Sequence, residues 1–246
     1  MNIEIMGQNL DKSKLHVEEE QNFDNLVKKN CYNQACEIID KDEFIRQSLM
    51  EIKEHDMKTF LHSLEVGNMT AFIVNQLGDK LTEEEKRVLM TSALLHDYGK
   101  TSVDAGILNK EGELTQEERL KIEKHPEASF VALKNWDIEV AKVAVAHHEH
   151  QSHSYPRKNF LDDVLEKRAD DKQVRKLSRM LAIMDSFQSM LDPARPSNRG
   201  KIKSIDEIVA ELNDKKFILN EDKEIIFLLE EYYYKRQSGA KMQQAN

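Results

Sequence analysis

Apolar residues recur at intervals of three and four along almost all of this 246-residue chain, while glycine and proline, which interrupt helices, occur only 8 and 4 times. A period near 3.6 puts such residues on one face of a helix, and no stretch keeps up the apolar–polar alternation of a half-buried strand. The chain is therefore expected to be all-α. In "TFLHSLEVGNMTAFIVNQLG", Leu61, Leu64, Met69, Phe72, Ile73 and Leu77 build one stripe that stops near Gly78, a residue suited to a helix C-terminus.

Two helix starts are marked by capping-box spacing, Thr82 with Glu85 and Thr115 with Glu118. The first of these helices, "LTEEEKRVLMTSALLHDYGK", is expected to end at Gly99. The second should end near His125, because Pro126 disfavours helical geometry in the residue before it. Further helices are expected at about 137–149, 173–191, 204–213 and 221–235, with weaker patterns at 22–38 and 42–53. Gln151 to Lys172 is polar, contains Pro156, and reads as a long loop or lid.

With 39% hydrophobic residues the chain can bury a substantial core. Residues 1–50 are polar and weakly patterned, and are expected to form an N-terminal helical cap or partner segment, with 51–246 as the principal domain. The 36 basic residues are outnumbered by 45 acidic ones, giving a formal net charge of -9. That balance excludes general binding to nucleic-acid polymers or anionic membranes, so a phosphate-bearing ligand must be attracted by local charge, which bound cations can supply. Cys31 and Cys36, five positions apart in a helical stretch, read as separate half-buried thiols. Neither a leader sequence nor an 18-residue apolar run is visible, and the expected location is cytoplasmic. The terminal helices, including the run Tyr232, Tyr233 and Tyr234, are candidates for helix packing or a homodimer contact.

Six of the nine histidines, His96, His125, His147, His148, His150 and His153, fall within fewer than 60 residues. A lone histidine on an apolar face is usually a hydrogen-bonded core residue, but here several are associated with helices in series. His62 lies in the first stripe, His96 and Asp97 close the next helix, His125 another, and His147 with His148 a fourth. Asp185 interrupts the apolar face of "RMLAIMDSFQSML", where an unpaired carboxylate would be costly. Nitrogen and oxygen donors on otherwise apolar faces suggest a metal site inside a helical bundle.

In order, His62, the His96–Asp97 doublet and Asp185 resemble the H…HD…D pattern of the HD superfamily of metal-dependent phosphohydrolases. "ALLHDYGK", "GILNKEGELTQEE", "HPE", "HHE", "YP", "RMLAIMD" and "RP" narrow the resemblance to the HD-GYP subgroup, whose members hydrolyse cyclic di-GMP in bacterial signalling, over about residues 58–200. The resemblance implies an HD-domain helical bundle in which His62, His96, Asp97 and Asp185 hold one metal, and Asp97 bridges to a second held by His125, His147 and His148. It implies two divalent transition-metal ions, iron or manganese suiting the mixed imidazole and carboxylate donors best. Asp97 and Lys100 then carry catalysis, with Lys100, Tyr155 and Arg179 meeting a small nucleotide substrate.

Departures from the subgroup's pattern lie beside this set. "HHEHQSHSYP" lacks both glycines of the usual HHExxDGxGYP, Ser129 stands for the glycine of HPxxG, and Gln188 replaces the second Asp of D-x-x-D. Lys58 occupies the position from which some relatives hold a third metal through a Glu, and its charge favours two ions. His150 and His153 read as loop residues outside the ligand set, and His16 and His55 as solvent-exposed. The expected activity is cyclic-dinucleotide phosphodiesterase, the alternatives being hydrolysis of another nucleotide or phosphoester, or a catalytically weak metal-containing binding module.

Overall fold

The three- and four-residue spacing becomes helix throughout the structure, a computed structural model that describes residues 12–31, 33–150, 155, 171–192, 202–215 and 218–238. Among the described residues there is no strand. The helices are α1 (Lys12–Asn30), α2 (Asn33–Lys41), α3 (Glu43–His55), α4 (Met57–Leu77), α5 (Glu83–Leu95), α6 (Ala105–Leu108), α7 (Gln116–Ile122), α8 (His125–Leu133), α9 (Ile138–Ala146), α10 (Lys172–Leu191), α11 (Ile205–Asn213) and α12 (Lys223–Gln237).

Helix α4 is the axis of the bundle. It packs against α3, α5, α10 and α12, and is buried around most of its circumference rather than along one stripe. Leu61, assigned to that stripe from its spacing, points outward and is 39% exposed. Leu64, Met69 and Ile73 of α4 are fully buried with Leu89 and Leu94 of α5, Phe130 of α8, Leu181 and Phe187 of α10, and Leu229 of α12. Burying one such side chain contributes about 1.5–3 kcal/mol. A helix cap contributes about 1 kcal/mol, so the core dominates stability and the caps set where helices begin. Both expected capping boxes are present, Thr82 with Glu85 and Thr115 with Glu118. Gly78 caps α4 with a φ of 51°, a left-handed angle that glycine adopts without a Cβ penalty.

Helix boundaries differ from the periodicity in ways that matter for the site. Helix α5 stops at Leu95, four residues before Gly99, so His96 and Asp97 lie just beyond its last turn. His125 opens α8 rather than closing α7, with Pro126 in the first turn, where a missing N–H costs no helical bond. Helix α9 ends at Ala146, leaving His147 as its cap.

The stretch 22–38 is not one helix. It breaks after Asn30, whose side-chain amide bonds Leu26 O at 2.8 Å and whose carbonyl accepts from Asn68 Nδ2 of α4 at 2.7 Å. That turn lets α1 and α2 both reach α4, with Phe23, Val27 and Ile39 in the shared core. Both cysteines are free thiols. Cys36 is half-buried as expected, but Cys31 is buried, packed in the core beside Val27 and Ala35. His55, expected in solvent, is half-buried with Nε2 2.7 Å from Val103 O. The side chains of His16 and His153, and the lid expected over most of 151–172, lie outside the described residues.

Because Asn68 is buried and answers a carbonyl at a helix break, Asn68→Ala is expected to lower stability by about 1–3 kcal/mol. Urea unfolding checks this, and an unchanged midpoint would mean that the bond does not hold the α1–α2 junction.

Candidate metal centre

The last four carbonyls of a helix have no partner within it, and three histidines sit where they can answer one. His96 follows α5, His125 follows α7 and His147 follows α9. In each the ring Nδ1 donates to the carbonyl three residues earlier, Ala93 O at 2.9 Å, Ile122 O at 2.8 Å and Ala144 O at 2.5 Å. A carbonyl can only accept, so the neutral rings carry their proton on Nδ1 and present Nε2 as a bare lone pair. His62, inside α4, is held by a side chain instead, Gln188 Oε1 of α10 lying 2.6 Å from its Nδ1.

These lone pairs converge. His62 Nε2 lies 3.1 Å from Asp185 Oδ1, 3.2 Å from His96 Nε2 and 3.6 Å from Asp97 Oδ2. On the other side, the donor atoms of His125, His147 and His148 lie within 4.8 Å of one another. Asp97 stands between the two groups, with Oδ1 3.1 Å from His125 Nε2 and Oδ2 3.5 Å from His96 Nε2. His62, His96, Asp97, His125, His147 and Asp185 are all buried. Asp97 Oδ1, His125 Nε2 and His147 Nε2 have no hydrogen-bond partner among the described residues.

Acceptor facing acceptor in a buried space is unfavourable unless a cation lies between them. Among the described residues the ammonium at Asp97 is that of Lys100, 2.5 Å from Oδ2, which leaves Asp97 Oδ1 and the Nε2 lone pairs of His125 and His147 without a partner. The residues therefore fit divalent metal binding. Three helix C-termini ending at the site add negative potential that also favours cations. Burial lowers His96 to about 4 and His147 to about 3 and keeps both neutral, the state in which imidazole binds metal. Asp97, despite the opposing cost of burial, is held well below the ordinary carboxylate range by Lys100 and His96. Burial opposes ionisation of Asp185 as well, yet His62 and the neighbouring imidazoles hold it there.

The turn carrying His96 and Asp97 is pressed onto α8. A Cβ on Gly99 would lie 2.0 Å from His125 O and 2.5 Å from Ser129 N, so only glycine permits the approach. Ser129 Oγ donates to His96 O at 2.8 Å and accepts from Gly99 N at 2.8 Å, stitching the two segments together. Sequence reasoning treated Ser129 and Gln188 only as departures from a pattern, and the signal of their role is spatial.

The HD domain family profile matches residues 59–190, which contain every one of these residues. The chain belongs to the HD domain family. It is 29% identical over 151 residues to a cyclic di-GMP phosphodiesterase response regulator from Xanthomonas campestris, covering 60% of this chain and 36% of that protein. To a 3'3'-cGAMP-specific phosphodiesterase from Vibrio cholerae it is 34% identical over 154 residues, 61% of this chain and 32% of the relative. A cyclic di-GMP phosphodiesterase from Thermotoga maritima is 28% identical over 141 residues, 55% and 35% of the two chains. This chain thus spans about a third of the length of these relatives.

The remaining residues singled out from the sequence fall on both sides of the site's boundary. Tyr155 reaches it, its ring 4.4 Å from that of His148. Arg179 is otherwise engaged, its Nε donating to Asp222 Oδ2 at 2.8 Å and its Nη2 to Glu221 Oε1 at 2.5 Å, where α10 meets the start of α12. His150 is outside the donor groups, its Nε2 2.8 Å from Ser178 Oγ of α10. No helix of the described residues is long and apolar enough to cross a membrane.

Two outcomes follow from this geometry. Gly99→Ala is expected to push the turn off α8, cost at least about 1–3 kcal/mol and weaken metal binding, as thermal unfolding and metal titration would reveal. In metal-stripped protein, His96 and His147 take up protons more readily unfolded, near their ordinary 6.5, than folded. Stability should thus be complete above about pH 6.5 and fall as pH drops toward 4, a decline that Asp97 and Asp185 extend to lower pH. A melting temperature flat over that window would contradict the burial of neutral rings.

Proposed function

We propose that the protein is a metal-dependent phosphodiesterase that opens a cyclic dinucleotide. The observation that carries this reading is the Asp97 carboxylate set between two groups of bare imidazole nitrogens. His62, His96, Asp97 and Asp185 would hold one ion, and Asp97, His125, His147 and His148 a second, with iron or manganese suited to these donors. When bound, such ions supply Lewis-acid activation of water for in-line attack on phosphorus.

The chain's own residues orient and neutralise. Gln188 and the three helix-end carbonyls fix the tautomers of the ligating rings. Lys100, beside Asp97, is within reach of a phosphoryl oxygen and stabilises charge that builds there. Tyr155, packed on His148, offers a ring face at the edge of the site for a nucleotide. Arg179 is left out of substrate binding because its guanidinium serves Asp222 and Glu221. Residues 1–50 act as a cap on the domain formed by 51–246, a reading supported by the packing of α1 and α2 on α4. Three relatives named as phosphodiesterases of cyclic dinucleotides support the substrate class. A second reading, another nucleotide or phosphoester, is favoured by the changed segment before Tyr155, where "HQSHS" lacks the subgroup's glycines.

The test is turnover by anaerobically metal-loaded protein on cyclic and linear dinucleotides and nucleoside phosphates. Opening of a cyclic dinucleotide, with close to two transition-metal ions per chain by elemental analysis, is the expected result. Asp97→Ala should lose metal and turnover together, whereas Lys100→Ala should keep metal and slow turnover by about 10²-fold. Cleavage confined to mononucleotides would establish the second reading, and trace metal after reconstitution would overturn both.

A further inference from the structure

Beside His62, on the side of the site away from Tyr155, the structure holds a cavity of about 630 Å³ between α4, the end of α10 and α12. Its size falls within the range of small-ligand pockets, about 300–1,000 Å³. His62 and Gln188 are among its lining residues, so it adjoins the donor group of His62, His96 and Asp185 at His62. Three cations line it, and their pairing differs. Arg236 is ion-paired with Glu65, which also accepts from Tyr232 OH at 3.1 Å, and this network fastens α12 to α4. Lys203 bonds Glu211 at 2.5 Å.

Lys58 is exposed and has no ion pair with another described residue. It precedes His62 by four positions on α4, so the two side chains share a face about one turn apart. An ammonium one helical turn from a metal-ligand position, in a cavity that opens on that ligand, is placed to take an anion adjoining the reacting one. The walls also carry apolar surface that folding leaves uncovered, Leu61 at 39% and Ile202 at 83% exposed, together with the half-buried Tyr233 ring. The carboxylates of Asp192 and of Glu65, the latter paired with Arg236, also line the cavity, and the combination of Lys58 with apolar faces matches a nucleotide rather than inorganic phosphate.

The geometry points to this cavity as the subsite for the second half of a cyclic dinucleotide, Lys58 receiving the phosphodiester that is not cleaved and Tyr233, Leu61 and Ile202 receiving a base. The inference rests on the phosphodiesterase reading above. A cyclic dinucleotide carries two phosphodiesters in one ring, and with one of them against Asp97 the other must sit to one side. On the His62 side the cavity has the room, and Lys58 there has no ion pair with another described residue.

The measurement is kcat/KM for cyclic di-GMP relative to kcat/KM for bis(4-nitrophenyl) phosphate, which has a single phosphodiester. In Lys58→Ala that ratio is expected to fall about tenfold or more, through KM, the size of one lost charge-assisted hydrogen bond. Lys58→Arg should restore most of it. An unchanged ratio, or an equal loss on both substrates, would overturn the subsite. Binding of a phosphorothioate analogue of cyclic di-GMP to metal-loaded protein separates this from the failure of the activity itself. Binding without turnover, weakened by Lys58→Ala, would remove the proposed activity and keep the subsite. Binding indifferent to Lys58 would remove the subsite alone, and no binding by the unaltered protein would remove both.

Discussion

Asp97 is a carboxylate with 1% of its surface exposed, and such a charge must be answered from within the protein. Its two oxygens face different groups, Oδ1 toward His125 and Oδ2 toward His62, His96 and Lys100. Each group is carried by separate helices, so the position of Asp97 requires the ends of α5, α7 and α9 and the faces of α4 and α10 to meet. Lys100 neutralises one charge, yet Asp185 adds another, and both carboxylates stay ionised. The bundle thus converges on a deficit of positive charge at its centre, which is the physical basis for expecting metal there.

Helix termini convert that requirement into orientation. A histidine beyond the last turn can satisfy a carbonyl of that turn and, in doing so, aims its other nitrogen away from the helix. His96, His125 and His147 all use this device, on α5, α7 and α9. His62 cannot, because carbonyls inside a helix are already bonded, and it depends on Gln188 from another helix. That dependence makes α10 part of the site twice over, through Asp185 as a donor and through Gln188 as an orienting group one turn further on. Lys58 lines the same cavity as this orienting pair, His62 and Gln188.

Much of this was legible in the chain. Three- and four-residue spacing specified helices, Thr82–Glu85 and Thr115–Glu118 marked two starts, and the order His62, His96–Asp97, His125, His147–His148, Asp185 selected the residues that the fold brings together. Helix ends were less legible. Periodicity runs on past Leu95, and Pro126 signals a boundary without saying which side is helical. Arg179 matched a pattern by position, but its partners Asp222 and Glu221 lie more than forty residues away and had no local trace.

The sequence by itself determined the fold class and singled out the candidate donors, because helical periodicity and ligand chemistry are properties of residue type and local spacing. Tertiary structure alone decided how the donors are used. It turned Ser129 and Gln188 from departures into a tie between segments and a partner for His62. It required glycine at position 99 through a backbone approach that no spacing rule encodes, and it left Lys58 beside a cavity without an ion pair among the described residues. Hydrogen bonds, close approaches and uncovered charge depend on distances between chain segments far apart in sequence, and those distances exist only once the core has packed.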